Sequence, residues 1–269
     1  MSVIEFTDRG IYCPAGDFYI DPWRPVDRAV ITHAHADHAR FGHAAYLSTP
    51  MTAAVMRHRL GAITADTVDY GEPRSMGGAR VSFHPAGHVP GSAQIRIEVG
   101  GEIAVISGDY KLENDGLSTP FEPLHCHSFV SECTFGLPAF RWPDAQDTFT
   151  AMAQWQAANQ ANGKITILTA YGLGKAQRLI HGLAPLCGPI FTHTAVENTN
   201  AILRDRGVAV PPTIRLTPQI NPDDLKQGII IMPPAAAESA AVRKLGPCEV
   251  GFASGWMGVR GIRRRRGVD

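Results

Sequence analysis

Short apolar runs, each closed by a polar or turn-forming residue, fill the first half of the chain. Phe18-Tyr19-Ile20 ends on Asp21, Ala29-Val30-Ile31 leads into His33, and Ile103-Ala104-Val105-Ile106 ends on Ser107-Gly108-Asp109. Runs this short, bounded by turn signals, predict buried strands. Arg80-Val81-Ser82-Phe83 alternates polar and apolar positions, the pattern of a strand with one buried face. Phe129-Val130-Ser131-Glu132 is another strand that stops on an acid, and one helix-like segment lies near Met51-Thr52-Ala53-Ala54-Val55-Met56-Arg57.

The texture changes after about Thr134, and from about Trp142 helical and strand patterns alternate. Phe149, Met152 and Trp155 recur on one face of a helix over Thr148–Trp155 and are expected in the core. Lys164-Ile165-Thr166-Ile167-Leu168 reads as a strand, Ala176-Gln177-Arg178-Leu179-Ile180 opens a helix, and Gly188-Pro189-Ile190-Phe191-Thr192 is a further strand. Asn198–Arg204 is a helix that Gly207 can end. Alternation with short connections predicts a small parallel α/β domain. The apolar run Gly228-Ile229-Ile230-Ile231-Met232 is cut by Pro233-Pro234 and is too short to span a bilayer.

Composition adds bounds. The chain has 269 residues with 44% hydrophobic content, enough for one large or two medium cores. The N-terminus has no apolar signal core. The five cysteines (Cys13, Cys126, Cys133, Cys187, Cys248) are scattered, odd in number and form no C-x-x-C pair, which points to a reducing compartment and a cytoplasmic location. Cys133, beside Glu132, reads as a small buried thiol. Lys plus Arg and Asp plus Glu are 25 each, so no global charge advertises nucleic acid. Locally, Arg260 and Arg263-Arg264-Arg265-Arg266 form a basic patch, either a phosphate contact or a solvated tail.

The chemistry concentrates in His33-Ala34-His35-Ala36-Asp37-His38. With 11 histidines in the chain, three at those positions arise by chance about 0.02 times. His33 and His35 are two apart and point to one side of an extended backbone. Imidazole nitrogens suit zinc and manganese, and the carboxylate of Asp37 favours a site that also holds water. One segment cannot wrap an ion, so ligands must come from elsewhere. His88, in Ala86-Gly87-His88-Val89-Pro90-Gly91-Ser92, and Asp109 at a strand tip are the candidates. Alone, each would read as a turn or core residue; their order after the histidine run changes that. Asp21 either accepts a hydrogen bond from a ligand histidine or only starts the turn at Pro22. His181 and His193 have no neighbour at ligand spacing and read as non-ligands.

H-x-H-x-D-H, then G-H-x-x-G-S, then S-G-D resembles the ordered signature of the metallo-β-lactamase superfamily. That resemblance covers the first half of the chain and implies an αββα sandwich with metals at the strand-end edge. It implies one ion on His33, His35 and His88, a second on Asp37 and His38, and Asp109 bridging the pair. Phe129–Gly136, Tyr171-Gly172-Leu173-Gly174-Lys175-Ala176-Gln177 and Phe252-Ala253-Ser254-Gly255-Trp256 are similar to segments of the β-CASP nucleases. Within that group the wording S-E-C-T-F-G-L-P with A-Y-G-L-G-K-A-Q is most similar to the bacterial DNA-ligase-associated exonucleases. The implied fold is α/β: a metallo-β-lactamase core over 1–137, a β-CASP-like insertion over 138–255, and a return toward the core over 256–269 without its closing segment. The family's late histidine has no match here, since His193 is the last in the chain. A shortened form, part of a longer protein, a weak second metal or an inactive relative all accommodate that.

The expected activity is metal-assisted phosphodiester hydrolysis with one or two divalent ions, zinc or manganese. Asp37 is expected to bind metal and accept a proton from water. Glu132 is a candidate for proton handling or a structural strand-end acid. Lys175, near the glycine turn, contacts phosphate or is a solvated first-turn lysine, and Tyr171 is a substrate-binding candidate beside it. The resemblance implies single-stranded DNA as substrate, trimmed from an end, within a repair pathway that includes a DNA ligase and a helicase, and no membrane. The alternatives are an RNA-processing endonuclease of the same fold, a catalytically silent DNA-binding relative and, less favoured, a thioester or lactam hydrolase.

Overall fold

The computed structural model describes residues 2–138 and 140–258, so the Arg260–Arg266 patch and most of the expected 256–269 return lie outside the described residues. The chain divides into two compact units, Met1–Cys133 and Thr134–Asp269.

The first unit is built on two sheets. One contains β1 (Glu5–Phe6), β2 (Ile11–Cys13), β3 (Phe18–Ile20), β4 (Arg28–Val30), β5 (Ala45–Ser48) and β6 (Ala65–Thr67), in that spatial order. β1 to β3 form an antiparallel meander, and β3 to β6 run parallel. The other sheet has the order β11-β10-β9-β8-β7, where β7 is Pro73–Met76, β8 Ala79–Pro85, β9 Ala93–Val99, β10 Glu102–Ile106 and β11 Ser128–Val130. β7 to β10 are antiparallel neighbours, and β11 joins β10 in parallel.

The period-2 pattern decides how these sheets meet. On β8, Val81 and Phe83 are fully buried and lie opposite Ile97 and Ile95 of β9. They share one core with Cys13, Phe18, Ile20, Val30 and Leu47 of the first sheet. Each such side chain contributes about 1.5–3 kcal/mol on burial, so the shared core fixes the sheet spacing. The apolar-ended strands of the sequence appear as read, with helix α1 (Pro50–Leu60) covering the helix-like segment. Pro50 at its first turn and the Thr49 side chain accepting from Thr52 N start this helix, and Gly61 at φ 80° ends it.

The second unit is a parallel sheet in the order β14-β13-β15-β12-β16: β12 Ile165–Thr169, β13 Ile190–Thr192, β14 Ile214–Arg215, β15 Ile229–Met232 and β16 Cys248–Phe252. β12 and β15 are buried along their whole length, which explains the unbroken apolar run of β15 and leaves Thr166 of β12 to be satisfied by a hydrogen bond. Helices α2 (Ala145–Ala161), α3 (Lys175–Leu183) and α4 (Thr194–Asp205) lie toward one face, where Asn159 of α2 donates to Thr166 of β12 and Gln177 of α3 donates to Asn200 of α4. The other face carries α5 (Pro222–Lys226), α6 (Pro234–Ala237) and α7 (Ala240–Arg243), packed on Ile165, Ile167, Ile230 and Met232.

Two expectations need correction. Phe149, Met152 and Trp155 are only half-buried; the buried positions of α2 are Gln156 and Asn159. Phe149 and Trp155 instead stand over Gly182 and Gly251: a Cβ at Gly182 would collide with the Phe149 ring, and one at Gly251 would press on the Trp155 ring. Cys133 is exposed, not buried, because the chain has already left β11 for an irregular segment.

Candidate metal centre

The candidate ligands emerge from strand tips. Asp21 follows β3, the histidine run follows β4, His88 follows β8, Asp109 follows β10 and Glu132 follows β11. β3 and β4 are parallel, as are β10 and β11, and β8 is two antiparallel steps from β10. All these tips therefore open on matching ends of their sheets. Two turns are glycine-dependent. Gly108 adopts φ 52° with its Cα against the Thr32 side chain, and Gly91 adopts φ 87° against Met51 and Thr52 of α1. A Cβ at either position would meet both a steric and a conformational obstacle. Thr49 and Thr52 hydroxyls donate to Gly91 O, and Ser92 Oγ accepts from His88 N and Val89 N, which fixes the turn that carries His88.

Four side chains converge. His33 Nε2 lies 2.9 Å from His35 Nδ1 and 3.8 Å from Asp109 Oδ2; His88 Nε2 lies 3.3 Å from His35 Nδ1 and 3.2 Å from Asp109 Oδ2. A tetrahedral ion with bonds of ~2.0–2.1 Å spaces its ligand atoms by ~3.3 Å, so this cluster has the dimensions of a metal-ion cage. A second group joins His38, Asp109 and Glu132: His38 Nε2 is 3.4 Å from Asp109 Oδ1 and 3.7 Å from Glu132 Oε2. Asp109 thus turns one oxygen to each group. Its buried Oδ1 lies 3.4 Å from His38 Nε2, a long contact that leaves the oxygen with lone pairs to offer a cation.

Asp37 stands differently from its neighbours. Its carboxylate is 72% exposed with Oδ2 3.8 Å from His38 Nε2, while Glu132 is the second carboxylate grouped with His38 and Asp109. Asp21 Oδ2 is 2.7 Å from His38 Nδ1 and accepts from Thr32 Oγ1, while Oδ1 accepts from Thr32 N. Asp21 holds φ 42°, a left-handed conformation that costs a non-glycine residue about 1–3 kcal/mol. Arg59 of α1 donates to the carbonyls of His35 and Ala39, tying the far side of the histidine loop to the helix.

Charge is matched to metal binding. Burial, with the neighbouring histidines, pushes His33 well below 6.5, and burial together with His35 lowers His88 to about 4. Both are neutral imidazoles near pH 7, the form that binds metal. Burial opposes protonation of His38, but its bonds to Asp109 and Asp21 outweigh burial and raise it to about 11. Burial likewise opposes ionisation of Asp109, yet contacts with His38 and Glu132 and the nearby imidazoles hold its carboxyl below the usual range. A proton on His38 occupies the electrostatic position that a cation would take, and a metal bound there would release it.

The remaining candidates are in the second unit. Tyr171 is exposed, and Lys175 Nζ sits 5.9 Å from its ring centroid at the start of α3. Burial, then Arg178, lowers the Lys175 pKa. Gln177 closes the glycine turn, accepting from Gly174 N and donating to Gly172 O. His193 caps α4 by accepting from Ala195 N, and His181 lies in the last turn of α3.

No family model matches the chain. It is 29% identical over 250 residues to a protein of Opitutus terrae named a probable DNA ligase, an alignment covering 92% of this chain and 24% of that one. It is 27% identical over 118 residues to cleavage and polyadenylation specificity factor 73 of Drosophila melanogaster, covering 43% of this chain and 17% of the relative. The chain therefore spans a quarter or less of these two relatives. A crystal structure of a protein of unknown function from Enterococcus faecalis covers 76% of this chain and 58% of its own, with a TM-score of 0.50 at 13% identity, a likeness of mixed α/β fold. The resemblance to the β-CASP nucleases of the metallo-β-lactamase superfamily thus holds across sequence relatives as well as in the motifs.

Proposed function

We propose that this chain is a metal-dependent nuclease that hydrolyses DNA phosphodiester bonds as an exonuclease on single-stranded DNA, in ligase-associated repair in the cytoplasm. The carrying observation is Asp109, whose two oxygens face two separate ligand groups at one strand-end edge. Paired metal positions sharing a carboxylate suit in-line displacement at phosphorus. The two sheets with their shared core support the αββα reading of residues 1–137, and the parallel α/β unit supports a β-CASP-like insertion over 138–255. The relative named a probable DNA ligase aligns with nearly all of this chain over a minor part of its own length. That supports a ligase as partner, with a helicase as a further member of the pathway.

His33, His35, His88 and Asp109 Oδ2 would hold a first ion, and His38, Asp109 Oδ1 and Glu132 a second. Three imidazoles and one carboxylate suit zinc, while one imidazole with two carboxylates suits manganese equally well. Divalent ions held there supply Lewis-acid charge and activate water near neutral pH. Glu132, its side chain 43% exposed beside His38, is positioned to hold and pass a proton, and Asp37 offers a solvent-facing carboxylate at the same rim. In the second unit, β12 leads to α3 on one face of the sheet, and its neighbour β15 leads to α6 on the other. Strands that diverge this way leave a crevice at their carboxyl ends, a common ligand position. Tyr171 and Lys175 sit on that edge, which supports a role in binding bases and phosphates.

The test is cleavage of end-labelled single-stranded DNA by the full chain with manganese or zinc, beside Asp109→Ala and a matched RNA. Metal-dependent trimming of DNA, lost in the variant, is the expected result. Preferential RNA cleavage would move the reading to the endoribonuclease side, which the similarity to the polyadenylation factor favours. Metal retention without cleavage of either would leave a silent DNA-binding relative, and hydrolysis of a chromogenic lactam alone would replace nuclease by small-molecule chemistry.

A further inference from the structure

Thr32 is fully buried where three strand tips meet, and every polar atom it carries is used. Its N donates to Asp21 Oδ1 at 2.8 Å, its O accepts from Ala93 N, its Oγ1 lies 2.6 Å from Asp21 Oδ2 and 3.1 Å from His33 Nδ1, and its side chain packs on Gly108. Proton counting fixes the direction of these bonds. An ionised carboxylate only accepts, so the single hydroxyl proton goes to Asp21. Thr32 Oγ1 then has lone pairs alone to offer His33, and Nδ1 must donate to it. His33 is left with its proton on Nδ1 and a lone pair on Nε2, the nitrogen that faces His35 and Asp109. The same Asp21 oxygen takes His38 Nδ1 at 2.7 Å, which leaves His38 Nε2 as the nitrogen that faces Asp109 and Glu132.

We infer that Thr32 is a positioning residue for the metal centre, a hydroxyl relay through which Asp21 sets the tautomer of His33 while the same carboxylate oxygen holds His38 directly. The inference rests on the metal reading above but not on the nuclease reading. Groups that donate or accept behind a ligand histidine typically change metal affinity 10- to 100-fold when removed. The relay adds a feature that a simple carboxylate–histidine pair lacks: both ligand groups lean on one carboxylate oxygen, so His33 is oriented through an intermediate that tolerates no aliphatic substitute. It also accounts for a β-branched hydroxyl residue between β4 and His33. Its whole side chain packs on Gly108 while the oxygen also reaches Asp21 and His33.

The experiment uses the full chain stripped by chelation and titrated with cobalt alone, read by its ligand-field absorption, for the native protein, Thr32→Val and Thr32→Ser. Thr32→Val keeps the volume and removes the relay; its cobalt affinity should fall about 10- to 100-fold. Thr32→Ser should stay within about threefold of the native chain, a rescue that packing alone would not give. Equal affinity for native and valine variants would overturn the inference, as would equal loss in valine and serine variants. Should the valine variant fail to fold, the native protein decides: nitrogen NMR of metal-free, histidine-labelled chain should find the His33 proton on Nδ1. A proton on Nε2 instead would overturn the relay. Cobalt binding involves no nucleic acid, so an inactive chain that still shows this pattern refutes the nuclease reading and leaves the relay standing.

Discussion

Asp109 is the residue on which both ligand groups depend. Asp109→Ala should lose both ions, to below one tenth of native metal content after chelation and readdition, measured by elemental analysis, and should show no metal-dependent cleavage. Glu132→Gln separates the two groups. The set around His33, His35 and His88 does not include it, so one ion should remain while the rate falls by roughly 10²- to 10⁴-fold, the usual range for losing a proton-transfer group. An unchanged rate would remove Glu132 from the mechanism. The histidines and Asp109 were legible in the sequence because an ion needs several donors in a fixed chain order. The standing of Glu132 beside His38 and Asp109 was not legible: how far that acid turns inward depends on where β11 ends relative to β10. Thr32 left no signal either, since a threonine at a strand end is ordinary until the tips of β3 and β10 close around it.

At the scale of elements, α4 and β13 are held by Glu197, which accepts from the Thr192 and Thr213 hydroxyls at 2.5 Å each and pairs with Arg204 at 2.9 Å. Burial opposes ionisation of Glu197, but these bonds outweigh it and hold its pKa below 4.5. A depressed carboxyl stabilises the fold above its unfolded pKa, and that stabilisation disappears as pH falls through the folded value. Glu197→Gln should therefore cost about 2 kcal/mol at pH 7 in urea unfolding, and the gap from the native chain should narrow as pH drops below 4.5. A gap that stays constant with pH would show that the carboxylate charge contributes nothing. Gly108→Ala tests the turn that carries Asp109. With φ at 52° and Thr32 in the way, it should destabilise the first unit by about 1–3 kcal/mol and weaken metal retention, checked by thermal melting with and without zinc. Strand positions were readable because apolar alternation and turn residues agree. The face of α2 was not, because hydrogen bonds let Asn159 and Gln156 go inside, where apolar periodicity points to other residues.

For the whole molecule, the two units should respond differently to metal. An ion present at 100 to 1,000 times its dissociation constant stabilises the state that binds it by about 2.7–4.1 kcal/mol. Chelation should therefore speed hydrogen exchange at the tips of β3, β4, β8 and β10 and leave β12 and β15 unchanged. Equal effects in both units would mean that the ion is bound elsewhere. Two units of different texture were visible in the sequence, the strand-rich first half and the alternating second, because helical and strand periods differ. No helix among the described residues is long and apolar enough to cross a membrane.

The ligand groups draw on both sheets of the first unit: His33, His35 and His38 ride on one, His88, Asp109 and Glu132 on the other. An ion held between them would work as a rivet across the open rim of the two sheets, and its fit would report the distance between them. Thinning the filling, for instance by Ile95→Ala or Phe83→Ala, lets the layers settle against each other and moves the rim out of gauge. Such variants should shed metal before they lose their fold, so a change far from any ligand would be felt first as a loose ion.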